Sequence, residues 1–319
     1  MAKVSGAQAW TIKNIPLERI HSPKDNRILA ALPATDYERL LVNLESVALP
    51  VGWAVYEATQ RMTHIYFPTE GIVSLLSAMD NGDSSEVALV GNEGLIGVSS
   101  FLGSGSTPSR AIVQSEGRAY RLEAKYLVEE FRRGGEMQHL LLIFTQALIA
   151  QIMQTAACHL HHRIDQQFCR WLLLTLDRSP SNEIVMTQAQ LAHMAGWRRE
   201  SISAAANELQ QRGLIDYTRG LITVLNRRGL EQRVCECYGV IKREAERVFH
   251  MGYAKPRPGK DGIGPERRAV ERRALDVQLT FKPARSFVVG ANYGFQRSGR
   301  PRAPAIGGYE QAATSAIDR

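Results

Sequence analysis

The chain has 319 residues, with 39 lysines and arginines against 32 aspartates and glutamates, a net charge of +7. Residues 251–319 alone hold 13 basic and 6 acidic side chains, so the first 250 residues are neutral overall and global charge says little about their partners. With four cysteines and no signal-like N-terminus, the composition excludes a disulfide-rich secreted protein and predicts a cytoplasmic, reducing setting.

After an N-terminal extension of residues 1–26, short strand-like runs separated by turns fill residues 27–134. Asp80-Asn81-Gly82-Asp83 is a typical hairpin turn, and Gly91-Asn92-Glu93-Gly94 predicts a second reversal of the chain. Closely spaced short strands favour a β-roll or barrel over a parallel sheet. The predicted strands are Ile72 to Met79, Glu86 to Val90, Ala111 to Gln114 and Arg118 to Leu122.

The next segment, residues 135–178, is predicted to be helical. From Glu136 to about Leu160 no glycine or proline interrupts the chain, which gives a helix of about 37 Å. We expect one of its faces to form a dimer seam because it has coiled-coil spacing, and another, with Leu142, Ile149 and Ile152, to pack across the roll. The predicted seam consists of Leu141, Phe144, Leu148, Gln151, Thr155 and Cys158.

A membrane span is not expected in this helix. Thr145, Gln146 and Gln151 interrupt the apolar run before the roughly 20 residues that a bilayer requires. A further helix is predicted from Asp165 to Leu176, and Ser179-Pro180-Ser181-Asn182 links it to the following module.

Residues 179–250 contain two short helical patterns followed by a hairpin. Thr187 and Gln190 form a capping box at the start of the first helix, and Gly196 ends it. The second helix, Arg198 to Gln211, is amphipathic and ends before Gly213. Two strands, Leu214 to Tyr217 and Leu221 to Val224, joined through Arg219-Gly220, then form a wing.

The polar face of the second helix predicts DNA binding. Arginine can bind guanine through two acceptors, glutamate can accept from the cytosine amine, and asparagine can bind adenine. Six arginines and three acidic residues between 187 and 230 give a local charge of +3, which suits phosphate contacts. The alternative is a small helical subdomain with no nucleic acid. The predicted DNA contacts are Thr187, Arg198, Arg199, Glu200, Ser203, Asn207 and Arg219.

No metal site and no cofactor are predicted. Cys235-Glu236-Cys237 is an isolated pair, and a lone pair makes a poor zinc site. Cys158 and His162 lie one helical turn apart beside His159 and His161, but histidines at helix ends are more often surface or capping residues.

The tail, residues 251–319, is rich in proline, glycine and arginine and poor in apolar residues, so we expect a basic, disordered segment. Two interpretations stay open: an arm that adds nonspecific nucleic-acid affinity, or read-through sequence without a role.

The order of strand roll, long helix and winged helix-turn-helix resembles the cAMP-receptor-protein and Fnr (Crp/Fnr) family of bacterial transcription regulators, over about residues 27–249. The most specific element is Arg198-Arg199-Glu200-Ser201-Ile202-Ser203, which is similar to the family's Arg-Glu-[Thr/Ser]-Val recognition motif. By that match Arg199 and Glu200 contact bases. Ala204 stands where cAMP-responsive members have arginine, so a different DNA sequence is expected.

The resemblance implies an α+β fold: an N-terminal cyclic-nucleotide-binding-like β-roll, a long dimerisation helix and a C-terminal winged helix-turn-helix. It also implies a homodimer that binds double-stranded DNA at an inverted repeat and works with RNA polymerase, and it implies no enzyme activity.

An effector pocket between roll and helix is implied as well. Cyclic-nucleotide-binding members hold the ligand with a Gly-Glu pair and an Arg-[Ser/Thr]-Ala segment. Here Val98 follows Gly97 and Ser109-Arg110 reverses the second motif, which argues against cAMP and favours another small anionic effector or none. The candidate pocket residues are Gly97, Val98, Ser99, Ser109, Arg110 and Thr155.

Two other classes of protein would share the roll. A ligand-binding or scaffold protein would not need Arg199 and Glu200 facing solvent. A cupin-like metalloenzyme would need metal ligands on strands, whereas the roll offers only His64.

Overall fold

The computed structural model describes residues 21–79 and 83–250. Most of the predicted N-terminal extension (1–20), the turn residues 80–82 and the tail 251–319 lie outside the described residues. The described part begins with two short helices, α1 (Arg27–Ala31) and α2 (Ala34–Leu41). Buried Asn26 caps α1 and donates from its amide to the carbonyl oxygens of Pro68 (2.9 Å) and Gly94 (2.8 Å), which ties this segment to the roll.

Five antiparallel strands form the roll in the order β1-β5-β3-β4, with β2 also pairing with β5. The predicted hairpin is confirmed: its two strands pair from Val73 with Val90 to Ala78 with Ser84. The strands are β1 (Glu45–Leu49), β2 (Ala54–Tyr56), β3 (His64–Ala78), β4 (Ser84–Val90) and β5 (Ser109–Glu123).

The two strands predicted at 111–114 and 118–122 are wrong as separate elements, because both belong to the 15-residue β5. The segment between the two predicted strands does not turn; it stays in β5 and pairs irregularly with β3 around Glu70 and Ile72. Gly117 permits this because a Cβ there would collide with the backbone of Glu70.

Three helices complete the N-terminal half of the described chain: α3 (Ser99–Leu102), α4 (Ala124–Arg133) and α5 (Gly135–His161). The 27-residue α5 confirms the predicted long helix. By length and composition it is apolar enough to cross a membrane, but nine of its side chains are buried within the protein, as in the core helix of a folded domain.

The C-terminal half confirms α6 (Ile164–Leu176) and the winged module. The module contains β6 (Glu183–Val185), α7 (Gln188–Ala195), α8 (Arg199–Gln211), β7 (Ile215–Thr218) and β8 (Leu221–Val224), followed by α9 (Arg227–Arg233) and α10 (Glu236–His250). Strand β6, which pairs with β8 through Ile184 and Ile222, was not predicted because three residues are too few to show a period.

Helix α10 returns to pack along α5, and this changes the predicted dimer face. Phe144 and Leu148 are buried between β4 and the α10 residues Ile241 and Val248, so the seam predicted on Leu141, Phe144 and Leu148 is wrong. Of the three residues predicted to pack across the roll, Leu142 and Ile149 are exposed instead, whereas Ile152 is partly buried against the roll core. From residue 140 to residue 160, the exposed positions on α5 are Leu142, Gln146, Ile149, Met153, Ala156 and Leu160.

The described residues form two large hydrophobic cores. One fills the roll, with Phe67 and Leu122 fully buried. The other joins Ile72 and Leu89, on the outer face of the sheet, to Phe168 of α6 and to the buried residues of the winged module. The roll and the module are therefore packed into one another through α6.

Candidate nucleic-acid interface and effector region

Local hydrogen bonds hold the two helices of the winged module. The predicted capping box is present: Gln190 N donates to Thr187 Oγ1 (3.2 Å), and Thr187 N donates to Gln190 Oε1 (2.9 Å). Gly196 ends α7 with φ at +70°, a conformation that glycine adopts without strain. Next to it, the Trp197 indole donates to Gln167 Oε1 of α6 (2.8 Å), which anchors the turn between α7 and α8.

Helix α8 presents a polar surface at its N-terminal end. The apolar face of the helix is buried as predicted, whereas Arg199, Glu200 and Asn207 are exposed. The buried residues are Ile202, Ala205, Ala206 and Leu209. Among the described residues, none hydrogen-bonds or ion-pairs with the side chains of Arg199 or Glu200. Two groups suited to base edges therefore project from a rigid helix without internal partners.

Two of the predicted contacts, Ser203 and Thr187, already have hydrogen-bond partners within the module. The Ser203 hydroxyl lies 2.6 Å from Gln188 Oε1 and 2.8 Å from the Arg199 carbonyl oxygen. A hydroxyl has one hydrogen, so this group is already occupied in joining α7 to α8. The Thr187 hydroxyl is likewise engaged, by Gln190 (2.8 Å).

The wing and its flanks supply positive charge. Arg219 and Gly220 both have positive φ (53° and 83°), which makes a tight two-residue hairpin turn with Arg219 exposed. Arg212 pairs with Glu208 and Arg227 pairs with Asp177. Among the described residues the other four arginines of this segment have no side-chain partner: Arg198, Arg199, Arg219 and Arg228.

Five of the six predicted effector-pocket residues lie at one end of the roll. Gly97, Val98 and Ser99 lead into α3, and the Ser99 carbonyl accepts from Gly105 N (3.0 Å). The Ser99 hydroxyl donates to Met62 Sδ (3.2 Å), and the Ser109 hydroxyl lies 3.0 Å from Thr107 Oγ1.

The two remaining polar groups of the predicted pocket have other partners. Arg110 alternates with the core residues Ala111 and Val113, so it faces away from the roll interior, and its guanidinium donates to Glu57 Oε1 (3.0 Å). Thr155 accepts from Arg170 Nη1 of α6 (3.0 Å). The structure thus separates Thr155 from the other five residues.

A buried polar cluster between the roll and α6 was not predicted. The Ser74 hydroxyl lies 2.7 Å from Glu86 Oε2 and 2.8 Å from Gln114 Oε1, and all three side chains are buried. Burial raises the pKa of Glu86 to about 7, although the Ser74 hydrogen bond and the Arg170 charge oppose the shift. A protonated Glu86 can donate to Ser74, which leaves the Ser74 hydrogen for Gln114.

The expectation that Cys235 and Cys237 form an isolated pair is wrong. Their sulfurs lie with Cys158 Sγ and a His162 ring nitrogen, all within 4.8 Å of one another. Among the described residues this is the one such group of three or more potential ligands, and it does not include His64. Nothing therefore supports the cupin-like alternative.

Two family models match the chain. The cyclic nucleotide-binding domain matches residues 47–133, and the Crp-like helix-turn-helix domain matches residues 166–233. A comparison with curated protein sequences finds no significant match.

The fold is similar to solved structures of transcription regulators. One, assigned to the Crp/Fnr family, is from Eubacterium rectale: it is 16% identical, with a TM-score of 0.54, and the match covers 66% of this chain and 98% of that one. Another, a CRP-family regulator from Thermus thermophilus, is 17% identical, with a TM-score of 0.50 and coverage of 59% and 95%.

We expect Glu86→Gln to change how stability depends on pH. Because the pKa of Glu86 is raised from 4.5 to about 7, the folded protein binds more protons than the unfolded chain between these values, and stability falls as pH rises through this range. The glutamine amide does not titrate, so Glu86→Gln should not lose stability over this range. Compared with the wild type, its free energy of unfolding should therefore be more favourable at pH 8 than at pH 5 by on the order of 1 to 3 kcal/mol.

Urea unfolding at both pH values tests this prediction, with Glu116→Gln, at an exposed position on β5, as the matched control. Arg170 and Arg178 of α6 are the charged groups that act on Glu86, and neither changes charge in this range. An unaltered pH dependence in Glu86→Gln would show that this carboxyl is not the titrating group.

Proposed function

The chain is a DNA-binding transcription regulator of the Crp/Fnr family, and we propose that it binds an inverted-repeat operator as a cytoplasmic homodimer. The observation that supports this most directly is that Arg199 and Glu200, at the start of α8, are exposed and have no side-chain partner within residues 21–79 and 83–250. They lie in a winged module anchored to α6. A helix presented in this way enters the major groove with its N-terminal residues toward the bases.

We assign different roles to the polar residues of the module. Arg199 and Glu200 read base edges, and Asn207, exposed further along α8, extends the contact. Arg198, Arg219 and Arg228 contact phosphates, because they are exposed and unpaired. Ser203 and Thr187 act by positioning α7 and α8 through the hydrogen bonds already described.

The exposed face of α5 is the proposed dimer interface. Its exposed positions from Leu142 to Leu160 are separated alternately by four and three residues, the spacing of a coiled-coil seam. Met153 and Leu160 are 67% and 82% exposed, unusual for apolar side chains unless a partner covers them. A second copy of α5 would bury a stripe about 27 Å long.

In our proposal, the β-roll (residues 27–134) does not bind cAMP as an effector. Val98 provides no carboxylate for a ribose hydroxyl, and the Arg110 guanidinium is already bound to Glu57. An anionic effector would have to compete with Glu57 for Arg110. The proposal is therefore a different small anion, or regulation without an effector.

Replacing Arg199 by alanine should relax sequence preference at one base pair of each half-site. A bidentate contact contributes on the order of 1 to 3 kcal/mol of discrimination. Selection from random DNA measures the sequence preference, and mobility-shift titration measures the change in affinity. Arg219→Ala is the matched control, since loss of a phosphate contact should weaken binding to all sequences alike and reduce its salt dependence. An unchanged motif in Arg199→Ala would contradict base reading by this residue.

A glutamate at Ile149 should dissociate the dimer, because it places two like charges in the proposed seam. Sedimentation velocity measures the change, and the inverted-repeat half-sites, about 10 base pairs apart, should then be bound less tightly. Val42→Glu, at an exposed apolar position at the end of α2, controls for the substitution itself. If Ile149→Glu stays dimeric, the seam lies elsewhere.

Calorimetric titration with cAMP should show weak binding or none. An unpaired ribose hydroxyl in a closed pocket costs about 1 to 3 kcal/mol, and here no acceptor replaces the missing carboxylate. Sub-micromolar affinity would contradict the proposal. The control titration uses Arg110→Ala, which lowers the affinity only if the nucleotide phosphate occupies the predicted pocket.

A further inference from the structure

We propose that Cys158, His162, Cys235 and Cys237 form a site for one zinc ion. Cys158 lies in the last turn of α5, and His162 is the C-cap residue of that helix. The His162 backbone N–H donates to the Cys158 carbonyl oxygen (3.0 Å), which keeps the two residues close together at the helix end. Cys235 and Cys237 lie where α9 gives way to α10, more than seventy residues later in the chain. The return of α10 along α5 brings the two pairs together, and this inference does not depend on the proposed function.

The distances between the potential ligands match a mononuclear zinc site. Zinc lies about 2.3 Å from sulfur and 2.0 to 2.1 Å from nitrogen, so tetrahedral coordination separates two sulfurs by about 3.8 Å and a sulfur from a nitrogen by about 3.5 Å. Cys158 Sγ is 3.6 Å from Cys235 Sγ, and Cys237 Sγ is 3.5 Å from His162 Nδ1. All four ligand atoms lie within 4.8 Å of one another, which fits a single ion.

The groups around these four residues also suit a metal site. His162 Nε2, the nitrogen that faces away from Cys237, is 3.3 Å from Glu236 Oε2. A carboxylate on the second nitrogen of a histidine is the usual outer partner that orients a metal-bound imidazole. Gln154 Nε2 donates to Cys237 Sγ (3.0 Å), a contact that stabilises a thiolate.

The type and burial of the ligands favour zinc in a structural role. Three thiolates and one imidazole are a common structural zinc set, and four protein ligands leave no open position for water or substrate. The three cysteines are buried and none is in a disulfide. Cysteine is often buried simply as a small apolar residue, but that explanation does not account for the histidine, its carboxylate partner and the glutamine at the same point.

The ion would connect the end of α5 to the segment that follows the wing. At His162 the chain turns from α5 into α6, so the site lies where the long helix meets the winged module. Because metal binding contributes directly to folding free energy when the ligands come from separate segments, zinc would stabilise this junction.

Full-length protein prepared with zinc should hold one zinc per chain, measured by inductively coupled plasma mass spectrometry after exhaustive dialysis. Cys235→Ala and His162→Ala should each lower the affinity for zinc by more than about tenfold, and Glu236→Gln by about tenfold. Cys169→Ala and His161→Ala are matched controls, a buried cysteine and a neighbouring exposed histidine outside the group, and should keep the ion.

Cobalt provides a second measurement if a variant fails to fold. Metal-free wild-type protein titrated with Co²⁺ should develop the visible absorption of tetrahedral cobalt and a thiolate charge-transfer band. Three outcomes would overturn the proposal: four reduced thiols with no zinc or cobalt bound, a disulfide between Cys158 and Cys235 in protein that lacks metal, or bound iron with the absorption of an iron–sulfur cluster.

Discussion

The contact on which the rest of the structure depends is the packing of α6 against the outer face of the roll. Ile72 and Leu89, from β3 and β4, share one hydrophobic core with Phe168 of α6 and with the buried face of α8. Fully burying one such side chain contributes about 1.5 to 3 kcal/mol, so several of them make the roll and the winged module a single packed body. A change in β3 or β4 can therefore reach α8 through this shared core.

Polar groups interrupt this apolar contact at one point. Glu86, Ser74 and Gln114 lie on the roll side, while Arg170 binds Thr155 on the helical side. Burying an acid has a free-energy cost, and the raised pKa of Glu86 is the expression of that cost. The domain junction is consequently less favourable and more dependent on protonation here than in its purely apolar part.

The packing of α10 determines which face of the long helix α5 is exposed. By covering the face with Phe144 and Leu148, it leaves the stripe from Leu142 to Leu160 as the surface open to a second copy. Its first turn also brings Cys237 and Glu236 to the end of α5. The packing of α10 therefore decides which face of α5 is exposed and also assembles the cysteine–histidine group.

The sequence by itself determined the elements that depend on local interactions. The Thr187–Gln190 capping box, the Gly196 turn, the β3–β4 hairpin and the buried face of α8 each follow from hydrogen bonds or spacing within a few residues, and all were predicted. Tertiary structure alone decided which face of α5 is exposed, because two faces carry the same alternating spacing and only the packing of α10 distinguishes them. It likewise decided that Thr155 binds Arg170 and that Cys158 meets Cys235, since these partners come from different elements that only folding brings into contact.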